Sequence, residues 1–235
     1  GATTASMDAE GEVIAASEAR PTREALEAVL PAFVGDIDQV PPAFSAIKVD
    51  GKRAYDLARQ GIEVELEART VSVFDLALDD FTGETATLSL HCGKGTYVRS
   101  IARDLCAELG VCGHVTALRR EQVGAFVTKD AITLEKLTDL VHRGAAQEAL
   151  LGVETALDDI PALPVTQDEA SKLKQGRDLA LLPRQLATVI EAQQARREAG
   201  FEEFPDAVQA VLKGQVQALC ELRDGRLYPT RILNL

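Results

Sequence analysis

A glycine-flanked lysine and a nearby arginine form the segment of this sequence best suited to chemistry. The segment reads Cys92-Gly-Lys-Gly-Thr-Tyr-Val-Arg99 and joins a predicted strand to a predicted helix. The start of a helix offers free backbone N–H groups and the positive end of the helix dipole, so Lys94 is placed to bind a phosphate or a carboxylate. Arg99 can orient a carboxylate with a two-pronged hydrogen bond. A surface arginine is the alternative, and the spacing is not that of a nucleotide-binding P-loop.

Three other stretches combine unusual composition with basic side chains. Phe33 to Lys48 contains a double proline, which extends the backbone, and then places a hydroxyl (Ser45) and an ammonium (Lys48) near one another. The alternative is a rigid edge loop with a solvated lysine. Gly51 to Gly61 is a basic turn leading into a short helix, whose Tyr55 we expect to close the core rather than to stack. Leu118-Arg119-Arg120 could grip a nucleic-acid backbone or end a solvated helix.

The elements that must position these residues follow from local patterning. Alternating apolar residues over 85–92 predict a strand, and apolar residues at helical spacing over 98–109 predict the helix that carries Arg99. A short helix over 22–30 is stopped by the proline that follows it. Residues 71–78 favour another strand. Helices and strands mix without regular alternation, so we predict an α+β fold with mixed or antiparallel sheets.

Composition limits the function without naming it. The net charge of −12 disfavours a nucleic-acid partner, but residues 91–120 hold five basic side chains against two acidic ones, so one local face is basic. The four cysteines include no Cys-x-x-Cys pair, which suits the reducing cytoplasm and argues against disulfides or structural zinc. No apolar run is long enough to span a bilayer.

The chain is predicted to divide into two domains, 1–159 and 160–235. The boundary lies at an alanine-rich, acidic stretch that ends in prolines. Near the C-terminus, Asp224-Gly225 predicts a two-residue hairpin turn between apolar strands. Residues 187–213 are helix-prone and charged and are interpreted as an insertion. From the residues alone, we expect an α+β domain with a basic anion-binding face, followed by a small β-rich domain.

These motifs, in this order, resemble the bacterial tRNA pseudouridine-55 synthase family. The family pattern Gln-x-Pro-Pro-x-Phe-Ser-Ala-x-Lys and the Tyr-x-x-Ala-Arg-x-Gly that follows it are matched within 33–61. Lys-Gly-Thr-Tyr-x-Arg is matched by 94–99, and Leu-Arg-Arg by 118–120. The opening 1–11 resembles Gly-x-x-Thr-x-Thr-x-Asp-x-x-Gly, with Ser6 in place of the second threonine. From about Ile160 the sequence resembles the PUA-type RNA-binding domain that ends these enzymes.

The resemblance implies a catalytic domain of mixed sheets, here N-terminally truncated, followed by a small PUA-type domain. It also implies that a uridine in the T stem-loop of tRNA is flipped out and isomerised to pseudouridine by an aspartate nucleophile, without cofactor or metal. The family's nucleophile lies in a Gly-x-x-Asp-Pro-type loop, and its stacking tyrosine in a Lys-x-Tyr motif. We expect both to lie upstream of Gly1. Asp8 matches a different family position.

The resemblance to the family also implies a role for each of the following site residues. Arg99 resembles the arginine that pairs with the nucleophilic carboxylate, and Tyr97 the tyrosine lining the uracil pocket. Leu118 resembles the leucine whose backbone binds the base edge, and Lys48 the lysine beside the flipped nucleotide. RNA contacts are also expected from the other basic residues of these motifs: Arg53, Lys94, Arg119 and Arg120. We expect a cytoplasmic monomer that does not contact membranes.

The sequence is also compatible with two other functions. The chain could be a non-catalytic module that binds or folds tRNA, which tight, salt-sensitive tRNA binding without activity would favour. It could instead be a metabolic enzyme that holds a small phosphate at the Lys94 turn. A small phosphorylated ligand would then bind without competing with tRNA.

Overall fold

The computed structural model describes residues 1–49, 51–62, 64, 66–198 and 204–234, which form two compact units, Gly1–Arg119 and Arg120–Leu235. The first unit contains these strands and helices: β1 (Ala2–Thr4), β2 (Val13–Ala16), α1 (Arg23–Val29), β3 (Gly35–Gln39), β4 (Lys48–Val49), β5 (Lys52–Arg53), α2 (Ala54–Arg59), β6 (Arg69–Phe81), β7 (Ala86–Cys92) and α3 (Val98–Glu108).

The second unit contains the remaining elements: β8 (Gln122–Val123), β9 (Phe126–Val127), α4 (Leu134–His142), β10 (Ala162–Pro164), α5 (Gln167–Lys174), β11 (Leu179–Ala180), α6 (Pro183–Glu198), β12 (Ala207–Leu212), β13 (Gln215–Arg223) and β14 (Arg226–Ile232). Within the described residues, no helix combines the length and the apolar character needed to cross a membrane.

The core of the first unit lies between a three-stranded antiparallel sheet, ordered β3-β6-β7, and the helices α1 and α3. On β6, Val73 and Leu76 lie three positions apart, and strict alternation would turn them to opposite faces. The irregularity in β6 between Val73 and Asp75 brings both into the cluster that holds Ile101 and Leu105 of α3. Helix α3 ends before Gly110, whose φ of +64° suits glycine at this position. The predicted helix after the glycine turn and the strand before it are both confirmed.

The second unit is built on a five-stranded sheet ordered β10-β12-β13-β14-β11, in which only the β10–β12 pair is parallel among the described strands. The predicted hairpin turn is confirmed: Asp224 and Gly225 have φ of +48° and +72°, the left-handed pair that suits a two-residue turn between twisted strands. Cys220 on β13 is fully buried, and burial raises the pKa of its thiol to about 12.

The α+β prediction is confirmed, but the helical interpretation of residues 187–213 is wrong in part. Helix α6 ends at Glu198, residues 199–203 lie outside the described residues, and β12 occupies Ala207–Leu212. These apolar residues form a strand because β10 and β13 pair with them on either side. This tertiary pairing outweighs the helix propensity of the local sequence. The domain boundary at 159/160 stays a prediction, since the compact units divide after Arg119 and the five-stranded sheet begins at Ala162.

Candidate active site

The turn between β1 and β2 is organised around the carboxylate of Asp8. The Ser6 hydroxyl and the Glu10 backbone N–H both donate to Oδ1 of Asp8, and the Thr4 hydroxyl donates to the Asp8 carbonyl oxygen at 2.6 Å. Gly11 closes the turn so tightly that a Cβ there would lie 2.7 Å from the Ser6 backbone nitrogen. The glycine is therefore required by sterics, and the turn holds Asp8 in one position.

Arg99, in the first turn of α3, binds this carboxylate and two carbonyl oxygens. Its Nη1 donates to Asp8 Oδ2 at 3.1 Å and to the carbonyl oxygen of Ser6 at 3.0 Å. Its Nη2 donates to the carbonyl oxygen of Phe44 at 2.8 Å. The arginine side chain is 23% exposed, so these contacts hold a largely desolvated guanidinium in a fixed orientation.

The pKa of Asp8 is lowered from its ordinary value of 3.8, chiefly by the hydrogen bond from the Ser6 hydroxyl. Partial burial opposes this shift of the pKa, while the Glu10 N–H and the charge of Arg99 reinforce it. Asp8 is therefore ionised at neutral pH and forms a true ion pair with Arg99.

The lowered pKa of Asp8 predicts how acid affects the Asp8–Arg99 pair. A carboxyl whose pKa is depressed by folding stabilises the protein fully above its unfolded pKa, and this contribution is lost as the pH falls through the folded pKa. The difference in unfolding free energy between the wild type and Asp8→Asn should thus be constant above about pH 5 and shrink below pH 3.8. Urea unfolding of both proteins from pH 7 to pH 3 measures this, and a difference that grows on acidification would refute the pairing.

Tyr97 is fixed by a buried glutamine at the end of β3. The Tyr97 N–H donates to Gln39 Oε1 at 2.8 Å, and Gln39 Nε2 donates to the Tyr97 carbonyl oxygen at 3.3 Å. Gln39 is only 1% exposed, so both bonds are shielded from water. On the ring, the Arg69 guanidinium lies 5.1 Å from the centroid, within cation–π range. The amide clamp and the stacked cation together set where the start of α3 and the Tyr97 ring lie.

These groups border one cleft of about 360 Å³. It is lined by carboxylates, hydroxyl groups, aromatic rings and guanidinium groups of the first unit: Ser6, Asp8, Glu10, Phe44, Ser45, Ala46, Tyr55, Arg59, Tyr97 and Arg99. Tyr55 is half-buried and lines this cleft, so the expectation that it closes the core is wrong. The guanidinium groups of Arg59 and Arg53 lie 5.5 and 6.0 Å from its ring centroid. Aromatic rings beside cations suit a planar base attached to a phosphate backbone.

A larger groove of about 570 Å³ lies elsewhere on the first unit, between α1 and β6. Its lining is mostly apolar, and Glu27 is its one ionisable side chain among the described residues. It offers neither an ion pair nor a cation for an anionic substrate. The smaller cleft is therefore the candidate active site.

The structure brings two of the predicted site residues, Tyr97 and Arg99, into the cleft. Lys48 and Arg53 face each other across the β4–β5 hairpin, which follows the cleft residue Ala46 along the chain. Leu118 is 65% exposed. The remaining predicted residues are all exposed. Lys94 lies in the turn before α3, and Arg119 and Arg120 are the last residue of the first compact unit and the first residue of the second.

Sequence reasoning missed that Asp8 is a partner of Arg99. It expected the arginine to meet only a carboxylate upstream of Gly1, whereas Asp8 reaches it from a turn 91 residues away along the chain. The available signal was the family-like Thr4-x-Ser6-x-Asp8-x-x-Gly11 pattern, whose hydroxyl groups and glycine are those that hold the carboxylate.

Solved structures share this fold. A chain in the crystal structure of a Cbf5-Nop10-Gar1 complex aligns with a TM-score of 0.66 and 19% identity, over 92% of this chain and 64% of that one. A chain in the structure of an H/ACA RNP bound to a substrate RNA containing 2'-deoxyuridine aligns with a TM-score of 0.63 and 17% identity, over 91% of this chain and 62% of that one. The chain thus spans less than two thirds of these structural relatives, and at such identities the similarity establishes the fold alone.

Sequence comparison defines the class. Residues 1–98 match the TruB family pseudouridylate synthase (N terminal domain), and residues 99–158 match the tRNA pseudouridylate synthase B C-terminal domain. The tRNA pseudouridine synthase B of Caulobacter vibrioides is 51% identical over all of this chain and 74% of its own length. That of Rhodospirillum rubrum is 42% identical over 97% of this chain and 71% of its own length. The protein is of the pseudouridylate synthase class, whose members are isomerases. The chain belongs to the TruB family.

Proposed function

We propose that this chain supplies the arginine-bearing half of an active site that converts a T-loop uridine of tRNA to pseudouridine in the cytoplasm. The observation that carries the proposal is the fixed Arg99 guanidinium, which borders a cleft together with the rings of Tyr97 and Tyr55. An arginine held in this way can keep a nucleophilic carboxylate ionised and aimed. The relatives from Caulobacter vibrioides and Rhodospirillum rubrum are tRNA pseudouridine synthases, which supports tRNA as the substrate.

The proposed reaction begins when the target nucleotide leaves its stack and enters the cleft, at a cost of roughly a few kcal/mol. The base lies against Tyr97, and the Leu118 backbone binds its polar edge. An aspartate carboxylate from the family's Gly-x-x-Asp-Pro-type loop, expected upstream of Gly1, acts as the nucleophile. The bond between N1 and C1′ of the ribose breaks, the uracil rotates, and C5 bonds to C1′ in its place. Any bond that the carboxylate oxygen formed is broken again, which frees the aspartate. C5 loses its hydrogen as a proton and N1 gains a proton, so the product is an isomer of the substrate.

Release of that hydrogen gives the direct test of the proposed function. A polypeptide that includes the upstream loop is incubated with tRNA carrying tritium at C5 of its uridines. We expect the release of one tritium per tRNA, and loss of this release when the T-loop uridine is replaced by cytidine. No release from the unaltered tRNA would refute the proposed function.

The basic residues outside the cleft are assigned to the RNA backbone. Arg119 and Arg120 contact phosphates of the tRNA, and the PUA-type domain at 160–235 also binds RNA. Lys48 lies beside the flipped nucleotide, and Arg53 and Lys94 contact the RNA. The enzyme acts as a monomer. Such contacts release counterions from the RNA, so affinity depends on salt.

Replacing both Arg119 and Arg120 with alanine should weaken tRNA binding and flatten its salt dependence. The slope of log K against log salt should fall by about one unit for each phosphate that the variant no longer neutralises. Filter binding at several salt concentrations measures the slope. The matched control is Arg20→Ala with Arg23→Ala, which removes the same charge from the acid-rich residues 1–39. A slope unchanged from the wild type would remove Arg119 and Arg120 from the interface.

A further inference from the structure

Ser45 carries a hydroxyl group that the fold buries without using. Ser45 lines the cleft beside Arg99 and Tyr55, and the residue is only 3% exposed. Its Oγ has no hydrogen-bond partner among the residues that the structure describes. Burying an unpaired hydroxyl costs free energy that an alanine would not cost. A serine at this position therefore makes the free protein less stable than an alanine would, unless its hydroxyl acquires a hydrogen-bond partner.

The backbone around Ser45 is fixed from both sides by bonds that leave the side chain uninvolved. Arg99 Nη2 donates to the carbonyl oxygen of Phe44 at 2.8 Å, and the Tyr55 N–H donates to the carbonyl oxygen of Ser45 at 3.0 Å. The first bond ties this peptide segment to α3, and the second ties it to α2. The backbone of Ser45 is thus held in place between two cleft residues, while the donor and the acceptor capacity of its hydroxyl remain unused.

We infer that the Ser45 hydroxyl is a binding group for the base of the nucleotide that enters the cleft. This inference rests on the proposed function and extends it to a residue with no assigned role. A uracil edge offers two carbonyl oxygens that accept and one N–H that donates. A hydroxyl can donate to the former or accept from the latter, so it can hold the base both before and after the ring has rotated. Arg99, which has no acceptor, cannot serve the N–H in this way.

The test variant is Ser45→Ala, for which two quantities are measured. If Ser45 had only a structural role, the substitution would change both quantities together. Because the hydroxyl has no partner in the free protein, thermal unfolding of Ser45→Ala should occur at the same or a higher temperature than that of the wild type. The matched control is Ser100→Ala, since the Ser100 hydroxyl is equally buried but donates to the Val40 carbonyl oxygen at 2.8 Å. That variant should unfold at a lower temperature.

The second readout is the affinity for T stem-loop RNA, with and without the target base. Ser45→Ala in the protein with its upstream segment should weaken binding of the uridine RNA by about 3- to 10-fold, the effect of one neutral hydrogen bond. It should not weaken binding of an RNA that is abasic at the target position. Equal affinities for the uridine RNA, equal losses for both RNAs, or a lowered unfolding temperature would each overturn the inference.

The same proteins separate this inference from the proposed function. If the wild type binds the RNA with the predicted Ser45 dependence but releases no tritium, the proposed reaction fails and the base contact stands. If it releases tritium and Ser45→Ala has unchanged affinity and rate, only the Ser45 contact fails. If it binds neither RNA, both are overturned.

Discussion

In the protein with its upstream segment, Arg99→Ala should lower the single-turnover rate of pseudouridine formation by about 10²- to 10³-fold, the usual loss when one fixed charged donor is removed from an active site. The substitution also strips Asp8 of its ion-pair partner and leaves the Ser6 and Phe44 carbonyl oxygens without their donor. Affinity for tRNA should change far less, because the bulk of binding comes from phosphate contacts elsewhere. Quench-flow analysis of tritium release, alongside filter binding, separates the two quantities.

The control for Arg99→Ala is Arg103→Ala, one turn further along the same helix. Arg103 binds the adjacent Asp104 and the Val40 carbonyl oxygen and does not line the cleft. The same loss of charge from α3 should leave the rate within a few-fold of the wild type. If Arg99→Ala reduced rate and affinity equally, Arg99 would be a binding residue without a role in the chemical step.

Gln39→Leu should cost about 2–4 kcal/mol of unfolding free energy, since it removes two buried hydrogen bonds and leaves the Tyr97 N–H unpaired. Glutamine and leucine side chains are similar in size, so the stability is lost through the missing hydrogen bonds and not through a cavity. Turnover of the folded variant should also fall, by about 10- to 100-fold, because the Tyr97 ring and Arg99 both depend on where α3 begins. Urea unfolding and single-turnover rates measure the two effects.

The exposed Gln147 provides the matched change, and Gln147→Leu should alter the unfolding free energy by no more than about 0.5 kcal/mol. The amide clamp would be structural only if Gln39→Leu lost stability while its folded fraction kept the wild-type rate. It would have no role at all if both quantities were unchanged.

Much of the fold follows from patterns within a few residues. The strand–glycine turn–helix unit that carries Tyr97 and Arg99 is predictable because alternation, Gly93 and Gly95, and helical spacing all agree. Local chemistry also sets the start of α4, where the Thr133 hydroxyl accepts from the Lys136 N–H, as is typical of a threonine at a helix N-cap. The edge strand β3 is not predicted, because its sequence is largely polar and acidic and it pairs only with β6 among the described strands.

The candidate site is less accessible from the sequence than the elements that hold it. Arg99 and Tyr97 are identified by their motif, but the pairing of Arg99 with Asp8 depends on how the β1–β2 turn approaches α3. Tyr55 illustrates the same limit. A lone tyrosine at the start of a short helix is usually a packing residue, and only the folding of Phe44 to Ala46 beside it creates the cleft that it lines.

The hydrogen bonds of Arg99 have a consequence for the order of folding. They join chain positions 55, 91 and 93 residues apart, so each must overcome a large loop-closure entropy before it can stabilise anything. The three-stranded sheet, whose β6–β7 hairpin is local, can form without them. We therefore expect the candidate cleft to form late in folding, after the sheet that supports it. Partial denaturation should disrupt the cleft while the β6–β7 hairpin remains folded.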